Sequence, residues 1–312
     1  MNLDPQIASV IEALDAGFPP VHTMTGAQAR ATIRSRFVPA ADPERVAEVH
    51  DRTIQGPAAR IPIRIYRPDI PAGIPGNASL PILVYAHGGG FVFCDLDSHD
   101  GLCRNMANLI PAVVISVGYR LAPENQWPAA AEDVYAATRW AAENARAVGA
   151  DPRAVVVGGD SAGGNLAAVT ALMARDRGSP TIAAQFLLYP VLGADFDTES
   201  YRLFGNGFYN PKPALQWYWD QYVPTPADRD HPYASPLRAD VAGLPPAVMV
   251  LAGHDPLRDE GFAYADTLES AGVVTLRLPF DGGIHGFMTM PMLDIAHHAR
   301  RESCRALATL IR

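Results

Sequence analysis

Cysteine is scarce in this chain. Its 312 residues contain three, Cys94, Cys103 and Cys304, an odd number with none of the short spacings that mark a metal site. Buried free thiols in a reducing cytoplasm are the reading that fits them. Long apolar runs are missing as well, and nothing approaches the roughly 18 residues that a membrane helix requires. The N-terminus has no apolar core of a signal peptide, because Asp4 and Pro5 interrupt it at once. Positive charge is in deficit: 25 Lys and Arg face 33 Asp and Glu, a net charge of −8. That balance argues against a nucleic-acid surface and against a basic membrane patch. There is no internal repeat, heptad run or low-complexity tract. Neither G-x-x-x-x-G-K-[ST] nor G-x-G-x-x-G occurs, so the usual phosphate cradles are absent.

What is present is an apolar content of 48%, enough for a large core. The length fits one large α/β domain with an accessory lid. Residues 4–16 carry Ile7, Val10, Ile11 and Leu14 at helical spacing, and Thr25 is placed to cap a second helix bearing Ala29 and Ile33. Strands begin near Val46. Ala59–Tyr66 alternates, with Ile61, Ile63 and Ile65 on one face and Arg60 and Arg64 on the other, and Pro62 adds the expectation of an antiparallel edge strand. A polar loop, Asp69–Leu80, follows. From there continuous apolar runs alternate with helices: Ile82–Ala86, Ala112–Val117, Ala154–Val157, Ala184–Tyr189, Ala247–Ala252 and Val273–Leu278. Between them lie helical stretches at Gly101–Leu109, Ala129–Val148, Ala162–Arg175 and Leu257–Ala271. This order predicts a mostly parallel central sheet flanked by helices. The interval from Pro190 to Ala247 is too long for a crossover and rich in aromatics, which predicts an insertion folded over the sheet's C-terminal edge.

Four loops that follow apolar runs carry the chemistry. Gly159-Asp160-Ser161-Ala162-Gly163 fits the G-x-S-x-G nucleophile elbow, a strained strand-to-helix turn that lifts the Ser161 hydroxyl clear of the sheet. His87-Gly88-Gly89-Gly90-Phe91 fits the glycine-rich oxyanion loop, so the Gly88, Gly89 and Ala162 N–H groups are expected to receive an oxyanion. Asp255 ends another run and is the first choice for a triad acid; Asp259 is second, and a helix cap is the competing role for an Asp before Pro. His285, between Gly283 and Gly286, follows the last run and is the expected base. His254 is crowded by Asp255, and His297 and His298 fall in a terminal helix. The order Ser161, Asp255, His285 is that of α/β-hydrolases and differs from the chymotrypsin and subtilisin orders.

With these motifs, together with Tyr119-Arg120-Leu121-Ala122-Pro123-Glu124 and Asp255–Glu260, the sequence resembles the bacterial hormone-sensitive-lipase-like esterases, family IV of the α/β-hydrolases. The resemblance spans roughly residues 80–290, and Gly159-Asp160-Ser161 matches the Gly-Asp-Ser branch. It implies an α/β-hydrolase fold with a helical cap. Residues 1–45 would be the N-terminal cap helices and 46–312 the catalytic domain, with a cap insertion at about 192–232. It also implies a serine carboxylesterase that acts through an acyl-enzyme, with no metal or cofactor. The resemblance does not carry substrate identity; short- to medium-chain esters are expected because a packed cap encloses a limited pocket, while the cytoplasmic location is expected from the free thiols. Phe91, Phe208 and Trp217 are the expected pocket walls. The expected partner is a small-molecule ester, with a homodimer joined at the Val273–Leu278 edge. Two alternatives stay open: an amidase or lactonase with the same triad, and a non-catalytic receptor of the kind found among plant hormone receptors. The complete triad disfavours the receptor.

Overall fold

A computed structural model describes residues 2–69 and 79–312. The strands are β1 (Glu48–Gln55), β2 (Arg60–Arg67), β3 (Leu80–Ala86), β4 (Val113–Val117), β5 (Ala150–Asp160), β6 (Ala184–Leu188), β7 (Ala247–His254) and β8 (Thr275–Ile284). The helices are α1 (Pro5–Gly17), α2 (Gly26–Arg36), α3 (Asp100–Leu109), α4 (Ala129–Glu143), α5 (Ala162–Asp176), α6 (Glu199–Phe204), α7 (Lys212–Tyr222), α8 (Arg258–Ser270) and α9 (Asp294–Leu310). Residues 70–78, most of the expected polar loop at Asp69–Leu80, lie outside the described residues.

The strands form one sheet in the order β1-β2-β4-β3-β5-β6-β7-β8. All pairs from β4 to β8 are parallel, and β2 joins β4 antiparallel. The parallel strands read as unbroken apolar runs because both their faces are covered. On one face Ile82, Val84, Val155 and Val157 pack under α4, α5 and α8; on the other Leu83, Tyr85, Val156 and Phe186 meet α3 and α9. This is the mostly parallel, helix-flanked sheet that the strand pattern predicts and the α/β-hydrolase fold that the resemblance implies.

Two expectations need correction. The β2 strand is internal, because β1 pairs along its whole length. Pro62 sits just before the ladder to β4, which begins at Ile63, and although it has no N–H to give, its carbonyl still accepts the Gly118 N–H at 2.9 Å. Cys103 and Cys304 are buried, but Cys94 is only half-buried.

The two segments expected to form a cap, the N-terminal helices and the 192–232 stretch, touch one another. Asp4 caps α1, and Thr25 and Gln28 form a reciprocal capping box on α2. The insertion supplies α6 and α7. The two parts meet where Phe18 packs edge-on against Tyr209, with ring centroids 5.3 Å apart, and where Asp15 Oδ1 accepts the Tyr209 N–H at 3.0 Å. No helix among the described residues is long and apolar enough to cross a membrane.

Candidate active site

The functional groups gather at the C-terminal ends of β3, β5, β7 and β8. At the end of β5 the chain turns into α5 through Ser161, which adopts φ 54° and ψ −119°. A side chain is strained in that left-handed region and persists only where its surroundings enforce it. Here they do so by close packing: a methyl on Gly159 would overlap the Gly163 backbone, and one on Gly163 would overlap the Ala86 carbonyl. The elbow is wedged against the end of β3, which leaves the serine hydroxyl at the surface of the wedge.

His285 lies just beyond β8. Its Nε2 is 2.8 Å from Ser161 Oγ and its Nδ1 is 2.8 Å from Asp255 Oδ2. A carboxylate only accepts, so Nδ1 carries the proton and Nε2 is left with a lone pair facing the hydroxyl. Asp255 is 1% exposed, and its other oxygen accepts the Leu257 N–H at 2.8 Å. The imidazole is further bounded by Tyr189, edge-on with ring centroids 5.2 Å apart. The competing residues are engaged elsewhere. Asp259 accepts the Ser200 N–H and holds the start of α6. His254 Nδ1 contacts the Asp281 carbonyl at 2.9 Å, and His297 and His298 are exposed on α9.

In the glycine-rich loop after β3 the carbonyls of His87, Gly88 and Gly89 are all engaged. The His87 carbonyl accepts the Tyr119 hydroxyl at 2.7 Å. The Gly88 carbonyl faces His87 Nδ1 at 2.8 Å, and the Gly89 carbonyl accepts both Val92 N–H and Phe93 N–H at 3.0 Å. In a trans peptide the N–H points opposite to the C=O. Pinning the Gly88 and Gly89 carbonyls therefore aims the Gly89 and Gly90 N–H groups the other way, and neither meets an acceptor among the described residues. Gly88 was expected to be a donor, but its N–H is already given to Asp160 Oδ1 at 2.9 Å. The available set is Gly89, Gly90 and Ala162, whose N–H opens α5 and has no partner within the helix.

Burial sets the ionisation of the groups behind this loop. It pushes the His87 imidazole, with His99 adding to the effect, down to about 4. Burial also pushes the Asp160 carboxyl up, but His99 and the Tyr85 hydroxyl outweigh it and leave the group below its ordinary value. The Glu260 carboxyl is raised well above its usual range by burial, and it accepts the Leu192 N–H at 2.7 Å, tying the start of the insertion to α8.

The expected pocket walls are taken up in packing. Phe91 stacks on Tyr222 with centroids 3.8 Å apart and is 1% exposed. Phe208 lies between Phe204 and His254, and Trp217 is buried beside Tyr218. The residues one step along come closer to the loops. The Tyr218 ring covers Gly90 so closely that a methyl there would enter it, and Tyr209 Cε1 is 4.0 Å from where a Gly286 methyl would stand. Tyr209 itself holds φ 73°. A cavity of about 390 Å³ between α2 and the chain after the oxyanion loop is lined by Ile33, Phe37, Cys94 and Ser98, among others.

The alpha/beta hydrolase fold family matches residues 83–289. The chain belongs to that family. Within it, this is a hormone-sensitive-lipase-like carboxylic ester hydrolase, as its relatives indicate. It is 45% identical to the carboxylic ester hydrolase LipN of Mycobacterium tuberculosis over 84% of this chain and 70% of the relative. It is 38% identical to the ethyl acetate hydrolase of Pseudomonas putida over 93% of each chain. Among solved structures, LAE6, an alpha/beta hydrolase enzyme from the metagenome of Lake Arreo in Spain, superposes with a TM-score of 0.91 at 40% identity, covering 98% of both chains.

Proposed function

We propose that Ser161, His285 and Asp255 hydrolyse carboxylic esters through an acyl-enzyme. The observation that carries this is the unbroken line of two 2.8 Å contacts from Ser161 Oγ through the imidazole to Asp255. Ser161 Oγ attacks the ester carbonyl carbon as its proton passes to His285 Nε2. The carbonyl π pair moves onto oxygen, where Gly89, Gly90 and Ala162 N–H stabilise the charge; one such donor contributes about 3–4 kcal/mol. Collapse expels the alcohol, which takes the proton from Nε2. Water then attacks the acyl carbon, passes a proton to Nε2, and the serine leaves with that proton as the acid is released. Asp255 keeps the Nδ1 tautomer and stabilises the imidazolium throughout.

Short- to medium-chain esters are the proposed substrates. Tyr218 over Gly90 and Tyr209 beside Gly286 crowd the space above the loops, which disfavours long acyl chains. One relative is named for ethyl acetate. A lactone or activated amide would meet the same nucleophile. The reading also includes a cytoplasmic enzyme, in keeping with three free thiols, built with its catalytic domain beginning near residue 46. It includes pairing of two copies along β8, which ends the sheet; a monomeric mass at micromolar concentration would refute that pairing. The catalytic assignment is tested by Ser161→Ala, which is expected to lower kcat/KM for a butyrate ester by at least about 10⁴-fold.

A further inference from the structure

Asp160 precedes the nucleophile directly, yet its side chain does not face the substrate side of the elbow. It crosses to the loop after β3. Its Oδ1 accepts the Gly88 N–H at 2.9 Å and the Tyr85 hydroxyl at 2.8 Å. His99 Nε2 is 3.2 Å from Oδ1 and 3.3 Å from Oδ2. The other ring nitrogen of His99 lies 3.0 Å from Ser98 Oγ. Asp160 is 4% exposed and His99 5%. A methyl on Gly88 would overlap Asp160 Oδ2, so the carboxylate reaches the loop only because that position is glycine.

A buried carboxylate is an expensive way to close a core. Apolar side chains of similar volume fill such a space at least as favourably, and they leave no charge to solvate. What the carboxylate adds is direction, because a charge-assisted hydrogen bond holds an amide in a narrow range of positions. The peptide it holds is the one between His87 and Gly88. That peptide is pinned at both ends, with its N–H on Asp160 and its C=O on Tyr119. The next two peptides carry the free Gly89 and Gly90 N–H groups. Asp160 shares a peptide bond with Ser161, so the tie runs in one rigid step from the nucleophile's backbone to the oxyanion loop.

We infer that Asp160 is a positioning residue for ester hydrolysis, holding the oxyanion loop in register with Ser161, and that His99 is the counter-group that keeps its carboxylate in place. This rests on the Ser161 reading above. Asp160 touches no substrate atom; it acts through Gly88. Its loss displaces the two amides from the developing oxyanion, and a displacement of about 1 Å at a reacting centre costs on the order of a hundredfold in rate.

The test compares Asp160→Ala, Asp160→Asn and His99→Ala with wild type, using a chromogenic butyrate ester. A trifluoromethyl ketone that forms a tetrahedral adduct on serine is measured alongside. Asp160→Ala is expected to lower kcat by about a hundredfold with KM nearly unchanged, and to weaken the ketone in parallel. Asp160→Asn keeps an oxygen for the Gly88 N–H and recovers part of the kcat loss. His99→Ala leaves Asp160 in place without its counter-group and lowers kcat by about tenfold, again with little change in KM. A folded Asp160→Ala enzyme with wild-type kcat and ketone affinity overturns the inference. If Asp160→Ala does not fold, wild-type kcat in His99→Ala overturns it instead. Ser161→Ala is run in parallel. Activity retained there sinks the triad reading, whereas an inactive Ser161→Ala beside a fully active Asp160→Ala sinks only the role of Asp160.

Discussion

The strand ends and the cap are held together in different ways. At the strand ends, Asp255, His285 and Asp160 are all less than a tenth exposed, and each has a hydrogen-bond partner within 3 Å. The oxyanion loop spends its carbonyls on fixing its own shape. In the cap, α2 reaches the body through arginines: Arg30 donates to the Val92 and Ala122 carbonyls and pairs with Glu124, and Arg34 pairs with Asp95 and Asp97. The Arg34 side chain is 52% exposed and that of Asp95 46%, so their attraction is screened by water and salt. The first region is built so that small displacements are costly. The second is joined to the body through ion pairs that are partly open to solvent.

Substitutions can break or sharpen that contrast, and the largest effect belongs to the oxyanion loop. Gly89 holds φ 117°, and a methyl there would overlap the Phe93 carbonyl. Gly89→Ala is expected to lower kcat by at least about 10²-fold, measured against a butyrate ester in protein whose circular dichroism is unchanged. A fully active variant would mean that the loop is as forgiving as the cap. Next comes acid stability. His87 titrates near 4 in the fold against an ordinary 6.5. A depressed value means that the fold favours the neutral ring. Its contribution is complete above about pH 6.5 and is lost as pH falls toward 4, on the order of 3 kcal/mol over that window. Urea unfolding at pH 7.5 and pH 5 should reveal the loss, and His87→Gln should flatten it; an equal slope in the variant would contradict the account. The smallest effect belongs to the cap. Arg34→Ala is expected to leave kcat/KM for small esters within about twofold, and any difference in thermal midpoint should vanish in 1 M salt. A large loss of rate would show that α2 does more than cover the site.

The same contrast explains what could be read from the chain before folding. That Ser161, Asp255 and His285 come together was legible because each lies in a loop that follows an apolar run, and local turn chemistry tells where such a run stops. Gly88 was misjudged because a glycine run shows which amides can approach a ligand, and not which one a distant carboxylate captures. The capturing residue, Asp160, was in plain sight inside the elbow motif. A carboxylate following Val155-Val156-Val157-Gly158-Gly159 in a buried strand demands donors, and that signal could have been used. Pro62 suggested an edge for β2, but pairing partners come from across the sheet. Phe208 and Trp217 are expected as walls only because they belong to the aromatic-rich insertion. Which aromatic of α7 and its preceding loop turns toward the catalytic loops depends on how the cap docks, and docking falls on Tyr209 and Tyr218. Helical periodicity cannot resolve a one-residue choice when nearly every candidate is aromatic.

The central claim is that one serine carries the hydrolysis. Its most direct measurement is kcat/KM of Ser161→Ala and wild type across chromogenic acetate to decanoate esters, a lactone and an anilide, with folding checked in both. The account predicts a loss of at least about 10⁴-fold on every substrate that wild type turns over, and a wild-type profile that peaks at short to medium acyl chains. Wild-type turnover by a folded Ser161→Ala enzyme on any of these esters would contradict it.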